Sequence, residues 1–351
     1  MVRYYTRVCN FYYGKNSRIL VNKKKAISLN QSKEISFDQI EIITRKSKKI
    51  ISINQIKNLP KSVRKKINFD LVKIKSKKNN FSNFNFKKIP NLLGVLNLTP
   101  DSFSDGGKFN SKVRGINHAN NLINNGANLI DVGGESTRPG SKAVSENLEW
   151  RRINKVLESL TKKRIPISLD TRKSNIMEKG INLGVKLIND VSGLDFDSNT
   201  VNILKKYKVP FVIQHTQGVP ENMQKKPSYK NELLDIYDFF EKKIKLIRSK
   251  GITHNNIILD PGIGFGKNLK HNMSLIYNIS IFHSLGFPIL VGNSRKKFIK
   301  ELSGKNDSKS RIGGTLASSI YLMMQGVHIL RIHDVNEITQ GLKIFKKIID
   351  N

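Results

Sequence analysis

The chain has 351 residues, of which 38% are hydrophobic and one is a cysteine, and it carries a formal net charge of +35. The single Cys9 excludes a disulfide framework and a cysteine-based zinc site. No stretch approaches the ~20 consecutive apolar residues of a membrane span, and residues 1–16 lack the apolar core of a secretory signal. We therefore expect a cytoplasmic protein with a sizeable core and without a membrane partner.

The positive charge is concentrated near the amino terminus. Residues 1–89 contain 23 Lys and Arg against 4 Asp and Glu, a net charge of +19, whereas residues 90–351 contain 39 against 23, a net charge of +16. Basic chains suit nucleic-acid partners because Lys and Arg neutralise phosphates. Here the basic residues do not alternate with aromatic ones and no RNA-binding motif accompanies them. We do not expect a nucleic-acid partner, although nucleic-acid binding by residues 1–88 stays open as an alternative.

Composition divides the chain into three parts. Residues 1–76 contain short β-type runs at 40–44 and 50–53 among many lysines, which predicts a small β-containing appendage without catalytic residues. Residues 77–90, with the sequence KKNNFSNFNFKKIP, have weak periodicity and are typical of a linker. Residues 91–351 show a regular alternation and form one large predicted domain.

The large domain alternates short apolar runs with segments of helical spacing. The predicted strands are residues 92–98, 129–132, 165–169, 185–188, 211–213, 257–259, 289–291 and 329–332. The predicted helices are residues 116–125, 146–160, 173–183, 200–207, 231–248, 272–285, 308–325 and 336–349. Eight strand–helix units in about 260 residues predict an α/β fold, a (β/α)₈ TIM barrel. A doubly wound open sheet is the competing fold, but eight regular units favour closure.

Polar residues stand at the carboxyl end of every predicted strand. In chain order they include Asn97, Asp131, Asp170, Asn189, Gln214, Asp260, Asn293 and Arg331. The carboxyl ends of the strands form one face of such a barrel, and active sites are built on that face. A single Asp at a strand end is equally well explained as a helix N-cap. Because all eight ends are polar together, we predict an active site.

The residue types at these ends indicate what the site binds. Four ends supply carboxylate or amide oxygens, from Asp131, Asp170, Asn189 and Asp260. Such groups suit a guanidine-like edge with adjacent N–H donors. Neighbouring ends supply the cations Arg138, Arg295, Lys296, Arg331 and His333, which suit phosphate or pyrophosphate. We therefore predict a ligand with a nitrogen-rich heterocycle at one end and phosphates at the other.

Two further motifs suggest other chemistry, but both are incomplete. The sequence GIGFGK at 262–267 is similar to a phosphate-binding loop, yet Pro261 and Asn268 replace its first Gly and its magnesium-binding hydroxyl residue. We expect these glycines to let the backbone approach a ligand. His215 and His333 lack an H-E-x-x-H motif or a third clustered ligand, so we expect no zinc site.

The strand-end motifs resemble those of a known family. Residues 93–107, LGVLNLTPDSFSDGG, closely resemble the first signature of dihydropteroate synthases, and residues 126–140, GANLIDVGGESTRPG, resemble the second. Five shorter motifs follow in order, namely SLDT at 168–171, IND at 188–190, LDPGIGFGK at 259–267, SRK at 294–296 and RIHD at 331–334. The resemblance covers residues 91–350, and the basic extension lies outside it.

The resemblance implies a Mg²⁺-dependent transferase of folate biosynthesis. Such enzymes join 6-hydroxymethyl-7,8-dihydropterin pyrophosphate to p-aminobenzoate and release pyrophosphate. By motif match the pterin would be bound by Asp131, Asp170, Asn189, Asp260 and Lys296. Asn97 would be a Mg²⁺ ligand, and the phosphates would be contacted by Thr137, Arg331 and His333. Loops 101–107 and 136–140 would cover p-aminobenzoate.

The same resemblance implies which residues act in the reaction. Catalytic roles are expected for Asp101, Arg138, Lys296, Arg331 and His333. Further substrate contacts are expected from Phe103, Arg138, Pro139, Phe265 and Lys297. The bond to be broken joins a methylene on an electron-rich ring to pyrophosphate, so cations that stabilise the departing charge matter more than a strong base. Family members commonly are dimers, so we also expect a homodimer.

Two departures from the family pattern and two alternatives remain. Gln214 and Thr216 stand where many members have Met, so the packing beside the pterin is expected to differ. Lys297 stands where Ser is frequent, and we hypothesise that it pairs with the carboxylate of p-aminobenzoate. A corrinoid methyltransferase that uses methyltetrahydrofolate would share the pterin pocket, but it has no pyrophosphate for these cations to bind. Residues 1–88 are also compatible with a structural or dimer-forming module.

Overall fold

The computed structural model describes residues 2–99, 111–137, 140–219 and 221–350 of the chain. These residues form two sheets, one antiparallel with four strands and one parallel with eight. The antiparallel sheet belongs to the appendage and the parallel sheet to the barrel. The predicted fold class, a (β/α)₈ barrel with a small β-containing extension, is confirmed.

The appendage is organised around its longest strand. Its elements are β1 (Tyr5–Tyr13), α1 (Gly14–Asn22), β2 (Ile27–Leu29), β3 (Ser32–Ile43), β4 (Lys48–Ser52), a 3-10 helix (Ile53–Asn58) and α2 (Lys61–Lys75). β3 pairs with β1 along one edge, while β2 and β4 share its other edge, all antiparallel. The β-type runs expected at 40–44 and 50–53 are the end of β3 and part of β4. The sequence analysis missed β1 and both helices.

The appendage has a hydrophobic core of its own. Helix α2 buries Val63, Ile67, Leu71 and Ile74, whose spacing of three to four residues places them on one face of the helix. That face packs with buried side chains of the sheet, among them Phe37 and Ile40. Each fully buried aliphatic or aromatic side chain contributes roughly 1.5–3 kcal/mol relative to an exposed one. The lysines of α2 lie on its other faces, which is why composition alone concealed the helix.

Eight parallel strands form the barrel. They are β5 (Asn91–Asn97), β6 (Leu129–Gly133), β7 (Ile167–Asp170), β8 (Leu187–Asp190), β9 (Phe211–Gln214), β10 (Ile257–Asp260), β11 (Leu290–Val291) and β12 (Ile329–Ile332). Their order in the sheet runs from β10 down to β5 and continues through β12 to β11. A parallel bridge between Leu259 and Ile289 joins the two edges. All eight predicted strands are therefore present within a few residues of their expected bounds.

The barrel helices follow the strands on the outside. They are α3 (Ser111–Asn124), α4 (Glu146–Lys162), α5 (Ser174–Asn182), α6 (Thr200–Tyr207), α7 (Glu232–Ser249), α8 (Leu269–Tyr277), α9 (Lys297–Ser303), α10 (Ile312–Met324) and α11 (Val335–Ile349). Helix α4 shows how local sequence sets such a helix. The Ser145 side chain accepts from the Leu148 N–H at 3.3 Å as an N-cap, and the apolar residues Ile153, Val156 and Leu160 face the core. None of the described helices is both long and apolar enough to cross a membrane.

The predicted helix over 272–285 is instead two elements. Helix α8 ends at Tyr277, and a 3-10 helix spans Ile279–Leu285 with all seven residues buried. This segment lies between the barrel and the appendage, where the Ser280 hydroxyl donates to the Val8 carbonyl oxygen at 2.9 Å. Burial on every side removes the polar face that a periodicity argument needs. The short helix α9 was also missed, and the helix expected at 308 begins at Ile312.

The segment predicted as a linker fills the amino end of the barrel. Phe84 and Phe86 are 1% and 3% exposed, and they pack with the first inward residues of the strands, which are Leu93, Leu129, Leu187, Val212, Ile258, Leu290 and Ile329. The two rings also contact Phe81, with centroids 5.5 and 5.8 Å away. Residues 77–90 contain no helix or strand but are an integral part of the barrel core.

The appendage docks against α7 and the buried 3-10 helix. Tyr5 is fully buried within the barrel core, and its hydroxyl donates to Asp238 at 2.9 Å. Arg3 and Arg45 also contact Asp238, each at 2.8 Å, but both are about half exposed and contribute little. At the amino end of the barrel the Asn30 amide lies 2.7 Å from the His328 imidazole. Apolar burial at Tyr5 therefore dominates this interface.

Candidate active site

The carboxyl ends of the barrel strands surround a cavity of about 510 Å³. Several residues predicted from the sequence line it, namely Asn97, Thr137, Phe265, Lys296, Lys297, Arg331 and His333. They come from different strands and loops, and parallel strands of similar length bring their ends to one face. The active-site face predicted from the polar strand ends is therefore where the structure places the cavity.

Beneath the cavity, Arg331 holds two carboxylates from neighbouring strands. Its Nε donates to Asp131 Oδ2 and an Nη to Asp170 Oδ2, both at 2.6 Å. The Asn189 amide donates to the same Asp131 oxygen at 3.0 Å. The side chains of Asp131, Asp170 and Asn189 are almost completely buried. Ionised groups in such surroundings persist because they are paired and hydrogen-bonded.

Three oxygens of this cluster have no donor among the described residues. They are Oδ1 of Asp131, Oδ1 of Asp170 and Oδ1 of Asn189. A buried acceptor without a partner costs about 1–3 kcal/mol, so native proteins retain few of them without a reason. Asp131, Asp170 and Asn189 do not line the cavity themselves, but Arg331, which pairs with two of them, does. These oxygens are the strongest single pointer to the nature of the ligand.

Burial shifts the pKa values of the acidic groups upward. Burial raises the pKa of Asp170, and the nearby Asp131 adds to this effect, while Arg331 opposes it. Burial also raises the pKa of Asp260, against a hydrogen bond of 2.7 Å from the Gly262 N–H. Both carboxyls are therefore costly to ionise in the absence of a ligand. A ligand that donates hydrogen bonds to them lowers that cost.

Lys296 lines the cavity, and it is close enough to Asp260 and Asp170 for their charges to act on it. Its ammonium is 4.2 Å from the centre of the Phe265 ring, and burial together with the charge of Arg331 lowers its pKa. Gly264 has a φ of +85°, and a Cβ there would stand 3.1 Å from Lys296 Cδ. The glycine therefore both permits the turn and leaves room for the lysine. Phe265 and Lys296 form one wall of the cavity.

The sequence analysis missed Lys267 and His215 as site residues. Lys267 is 2% exposed and lines the cavity, with its Nζ 3.1 Å from His215 Nδ1 and 2.8 Å from the Phe265 carbonyl oxygen. Burial lowers the pKa of Lys267 to about 7 and that of His215 well below its ordinary value. The lysine ends the GIGFGK run, which the sequence analysis compares with a phosphate-binding loop and includes in a family motif without giving Lys267 a role. A lysine that follows three glycines directly after a strand-end Asp was the available signal.

A buried ion-pair network around Glu135 was also missed. Glu135 pairs with Arg172 at 3.0 Å and with Lys173 at 3.2 Å, and Lys173 pairs with Glu149 at 2.5 Å. Glu135 further accepts from the Val144 N–H at 3.0 Å, which joins the segment after β6 to the segment that precedes α4. Of these residues, Glu135 lines the cavity.

The phosphate-side cations differ in how they are held. His333 contacts the Ser294 hydroxyl through Nδ1 at 3.1 Å, and both line the cavity. Arg295 is engaged by both oxygens of Asp334, with its Nε 2.9 Å from Oδ2. Its charge is therefore already balanced, unlike the expectation that it serves the phosphates directly. Lys297 is 70% exposed at its side chain and lies 3.1 Å from Glu301.

Gln214 and Thr216, which the sequence analysis gives as departures from the family pattern, contact each other. The Gln214 amide donates to the Thr216 hydroxyl at 3.3 Å, and that hydroxyl donates to the Val191 carbonyl oxygen at 2.8 Å. A polar pair therefore occupies these two positions. Four predicted site residues, Asp101, Phe103, Arg138 and Pro139, lie outside the described residues.

Comparison with known proteins agrees with this geometry. The family model for the pterin binding enzyme matches residues 93–333. The dihydropteroate synthase of Escherichia coli K12 is 40% identical over 256 residues, which is 73% of this chain and 90% of that protein. The Bacillus subtilis enzyme of the same name is 36% identical over 270 residues, or 77% of this chain and 92% of that one.

Solved structures give the same result. Yersinia pestis dihydropteroate synthase in a sulfonamide complex aligns with a TM-score of 0.72 and 38% identity, covering 76% of this chain and 96% of that one. The Xanthomonas albilineans enzyme in complex with 7,8-dihydropteroate aligns with a TM-score of 0.68 and 30% identity, covering 75% and 95%. The chain belongs to the pterin-binding enzyme family. Within that family its relatives are dihydropteroate synthases, and its function is that of a dihydropteroate synthase.

Proposed function

We propose that the cavity joins 6-hydroxymethyl-7,8-dihydropterin pyrophosphate to p-aminobenzoate, giving 7,8-dihydropteroate and pyrophosphate. The observation that carries this proposal is the set of three buried, unpaired oxygens beneath a cavity lined by cations. The oxygens suit the donor-rich edge of a pterin and the cations suit its pyrophosphate. Complexes of relatives with 4-aminobenzoic acid and with 7,8-dihydropteroate support one proposed substrate and the proposed product.

The pterin ring is proposed to lie over the acidic cluster. Its N–H donors would pair with the free oxygens of Asp131, Asp170 and Asn189, and Asp260 would accept from the same ring. These bonds would stabilise the ionised form of Asp170, whose pKa is raised when no donor is present. Phe265 and Lys296 would cover the other side of the ring. The binding energy would therefore come largely from groups that are unsatisfied in the empty site.

The pyrophosphate is proposed to be held by Arg331, His333 and Thr137. Arg331 uses an Nε and an Nη donor on the two aspartates, and its other N–H groups, which have no hydrogen bond to the described residues, would donate to phosphate oxygens. As the bond between the methylene carbon and the pyrophosphate oxygen breaks, negative charge grows on the leaving group. Fixed cations favour that charge in the transition state more than in the ground state.

We propose Mg²⁺ as the cofactor, with Asn97 as its protein ligand. The described residues contain no cluster of three His, Cys, Asp or Glu side chains that would bind a metal by itself. The amide oxygen of Asn97 fits Mg²⁺ because this ion prefers oxygen ligands and takes most of them from water and substrate phosphates. The absence of a side chain at Gly133 leaves the space beside this oxygen open, since a Cβ there would stand 3.6 Å away. When bound, Mg²⁺ would neutralise part of the leaving-group charge.

The amine of p-aminobenzoate is proposed to attack the methylene carbon as pyrophosphate departs. The new C–N bond forms, the C–O bond breaks, and the amine releases one proton to solvent. Lys297 would pair with the carboxylate of this substrate, in competition with Glu301. Asp101, Phe103, Arg138 and Pro139 keep their proposed roles in substrate contact and catalysis. Because an aryl amine is a neutral nucleophile, no strong base is needed.

Pyrophosphate release tests this proposal directly. The full-length protein is mixed with both substrates and Mg²⁺, and pyrophosphate is measured over time, with p-aminobenzoate omitted as the control. We expect release that depends on p-aminobenzoate and that falls on treatment with EDTA and returns with Mg²⁺. Release without p-aminobenzoate dependence would refute the proposed reaction, and activity indifferent to EDTA would refute the cofactor.

We also propose a homodimer, a cytoplasmic location and the domain boundaries 1–76, 77–90 and 91–351. Ile344 and Ile348 on α11 are 61% and 64% exposed, and because they are four residues apart they adjoin on one helix face, which supports a contact with a second copy. Light scattering behind a size-exclusion column tests the dimer, and Ile344→Asp with Ile348→Asp should shift the mass to that of one chain.

A further inference from the structure

A second cavity lies at the opposite end of the barrel from the active site. It has a volume of about 460 Å³ and is bordered by the last turn of α2, the segment after it, helix α7 and the turns that enter β10 and β11. Lys73, Lys77, Lys78 and Phe81 contribute one side of it, and they precede residues 93–333, where the family model matches. The cavity is therefore built jointly by the appendage and the barrel.

Lys78, on this side of the cavity, is a buried cation without an acidic partner among the described residues. Lys78 is 5% exposed, and its Nζ donates to the Lys73 carbonyl oxygen at 3.0 Å and to the Ser76 hydroxyl at 2.9 Å. An ammonium has three donors, so one remains. Burial lowers the pKa of Lys78 to about 8, with no carboxylate near enough to oppose it. An uncompensated buried ammonium costs several kcal/mol unless an anion accompanies it.

The rest of the cavity lining also supplies mainly cations and hydrogen-bond donors. Lys73, Lys77 and Lys245 are further cations, and Glu241 is already engaged by Arg3 at 2.5 Å. Three asparagines border the cavity, and the oxygen of one, Asn255, is occupied by Arg248, which leaves its amide N–H₂ to donate. Phe81 adds a flat apolar surface. The volume is within the ~300–1,000 Å³ of small-molecule sites.

We propose that this cavity is a second ligand site, which binds a small phosphate-bearing molecule between the appendage and the barrel. The phosphate accepts from Lys78 and is flanked by Lys77 and Lys245, and an attached ring, where the ligand has one, lies against Phe81. Because residues before and after position 90 both contact the ligand, its binding stabilises the docked appendage. This site is separate from the reaction at the carboxyl ends of the strands.

Calorimetric titration of the full-length protein tests the site, in chloride buffer without Mg²⁺, with inorganic pyrophosphate and AMP as the two probes. The matched variants are Lys78→Met, which keeps the apolar stem without the charge, and Lys75→Ala, an exposed lysine of α2 that does not line the cavity. Lys296→Ala removes a cation of the active site. Tighter binding of AMP to the site that Lys78→Met weakens assigns an organic phosphate, whereas tighter binding of pyrophosphate to that same site assigns an inorganic anion. Pyrophosphate binding that Lys78→Met leaves intact belongs to the active site, where pyrophosphate is the proposed product.

We expect at least one probe to bind wild type, Lys75→Ala and Lys296→Ala alike, and to bind Lys78→Met tenfold or more weakly, since a charge-assisted hydrogen bond is lost. If Lys78→Met does not fold, the double variant of the exposed Lys77 and Lys245 to Ala is expected to show the same loss. The proposal is overturned if neither probe binds at millimolar concentration. It is also overturned if Lys78→Met and the double variant bind like wild type, or if binding disappears with Lys296→Ala alone.

Discussion

At the amino ends of the barrel strands Phe84 and Phe86 fill the interior, whereas at the carboxyl ends Asp131, Asp170 and Asn189 leave three buried oxygens without a donor in the described part of the chain. Apolar burial stabilises the amino ends of the strands. The carboxyl ends instead bury polar atoms without partners, which is less stable but leaves those atoms able to bind a ligand. Strands of the same barrel therefore contribute residues to both kinds of surrounding. The comparison teaches that stability and binding are separated along the strand axis, so that mutations at the two ends should have opposite consequences.

Phe84→Ala should have the largest effect and should act on stability alone. Removing a fully buried ring leaves a cavity, and the expected loss is about 3–5 kcal/mol of unfolding free energy. Urea denaturation measures it, with Phe69→Ala, whose side chain is 58% exposed, as the control that should change little. The activity of the folded fraction should be unchanged. A lower kcat/KM per folded molecule would show that the two ends are coupled.

Asp170→Asn should show the reverse pattern. The amide keeps the shape of the side chain but cannot offer the same charged acceptor to the pterin, so kcat/KM should fall about a hundredfold or more, worth about 3 kcal/mol. The fold should survive, because Arg331 keeps its pair with Asp131. Steady-state kinetics and circular dichroism check both parts, with the exposed Asp307→Asn as control. Turnover like that of wild type would remove Asp170 from the proposed pterin site.

Lys78 gives the amino end of the barrel a pH dependence. Its pKa is lowered to about 8 in the folded chain from an ordinary 10.5, so between these pH values the unfolded chain binds more protons and stability rises with pH. Relative to Lys78→Met, the wild type should therefore gain about 2–3 kcal/mol between pH 7 and pH 10.5 in buffers without phosphate. Urea denaturation of both proteins across this range measures the difference. If the difference in unfolding free energy between the two proteins does not change with pH, folding does not lower the pKa of Lys78.

Tyr5→Phe tests the docking of the appendage with a smaller effect. It removes one hydroxyl bond to Asp238 while the ring stays buried and Arg3 and Arg45 remain, so about 1 kcal/mol should be lost. Thermal unfolding at fixed concentration checks it, with Tyr4→Phe on the same chain segment as control. An unchanged midpoint of thermal unfolding would mean that the hydroxyl adds no stability and that packing alone stabilises the interface.

Lys297→Ala should have the smallest effect. An exposed ion pair contributes up to about 1 kcal/mol, so the KM for p-aminobenzoate should rise a few-fold with kcat unchanged. Lys300→Ala, exposed on the same helix and outside the cavity lining, is the matched control. If both variants keep the wild-type KM, the proposed pairing with the carboxylate is wrong.

The strands and the active-site face could be predicted because each rests on a local pattern. Apolar runs bounded by polar strand ends mark β5 to β12, and barrel geometry then brings Asp131, Asp170 and Asp260 to one face. The pairing of Arg331 with Asp131 and Asp170 joins residues that are far apart in sequence, and no local pattern specifies it. The 3-10 helix Ile279–Leu285 lacks an exposed face, so helical periodicity does not reveal it. Helix α9 has only seven residues, too few to show a repeat.

The role of Phe84 and Phe86 has a consequence for biosynthesis. These rings leave the ribosome before any strand of the barrel, whereas Leu290 and Ile329, with which they pack, are among the last residues to be made. The nascent chain therefore carries exposed aromatic side chains for most of its synthesis, a condition that favours aggregation and chaperone binding. A circular permutation that moves residues 2–90 to the carboxyl terminus would shorten the time for which these rings are exposed. The barrel strands would then be made before the segment that packs against them.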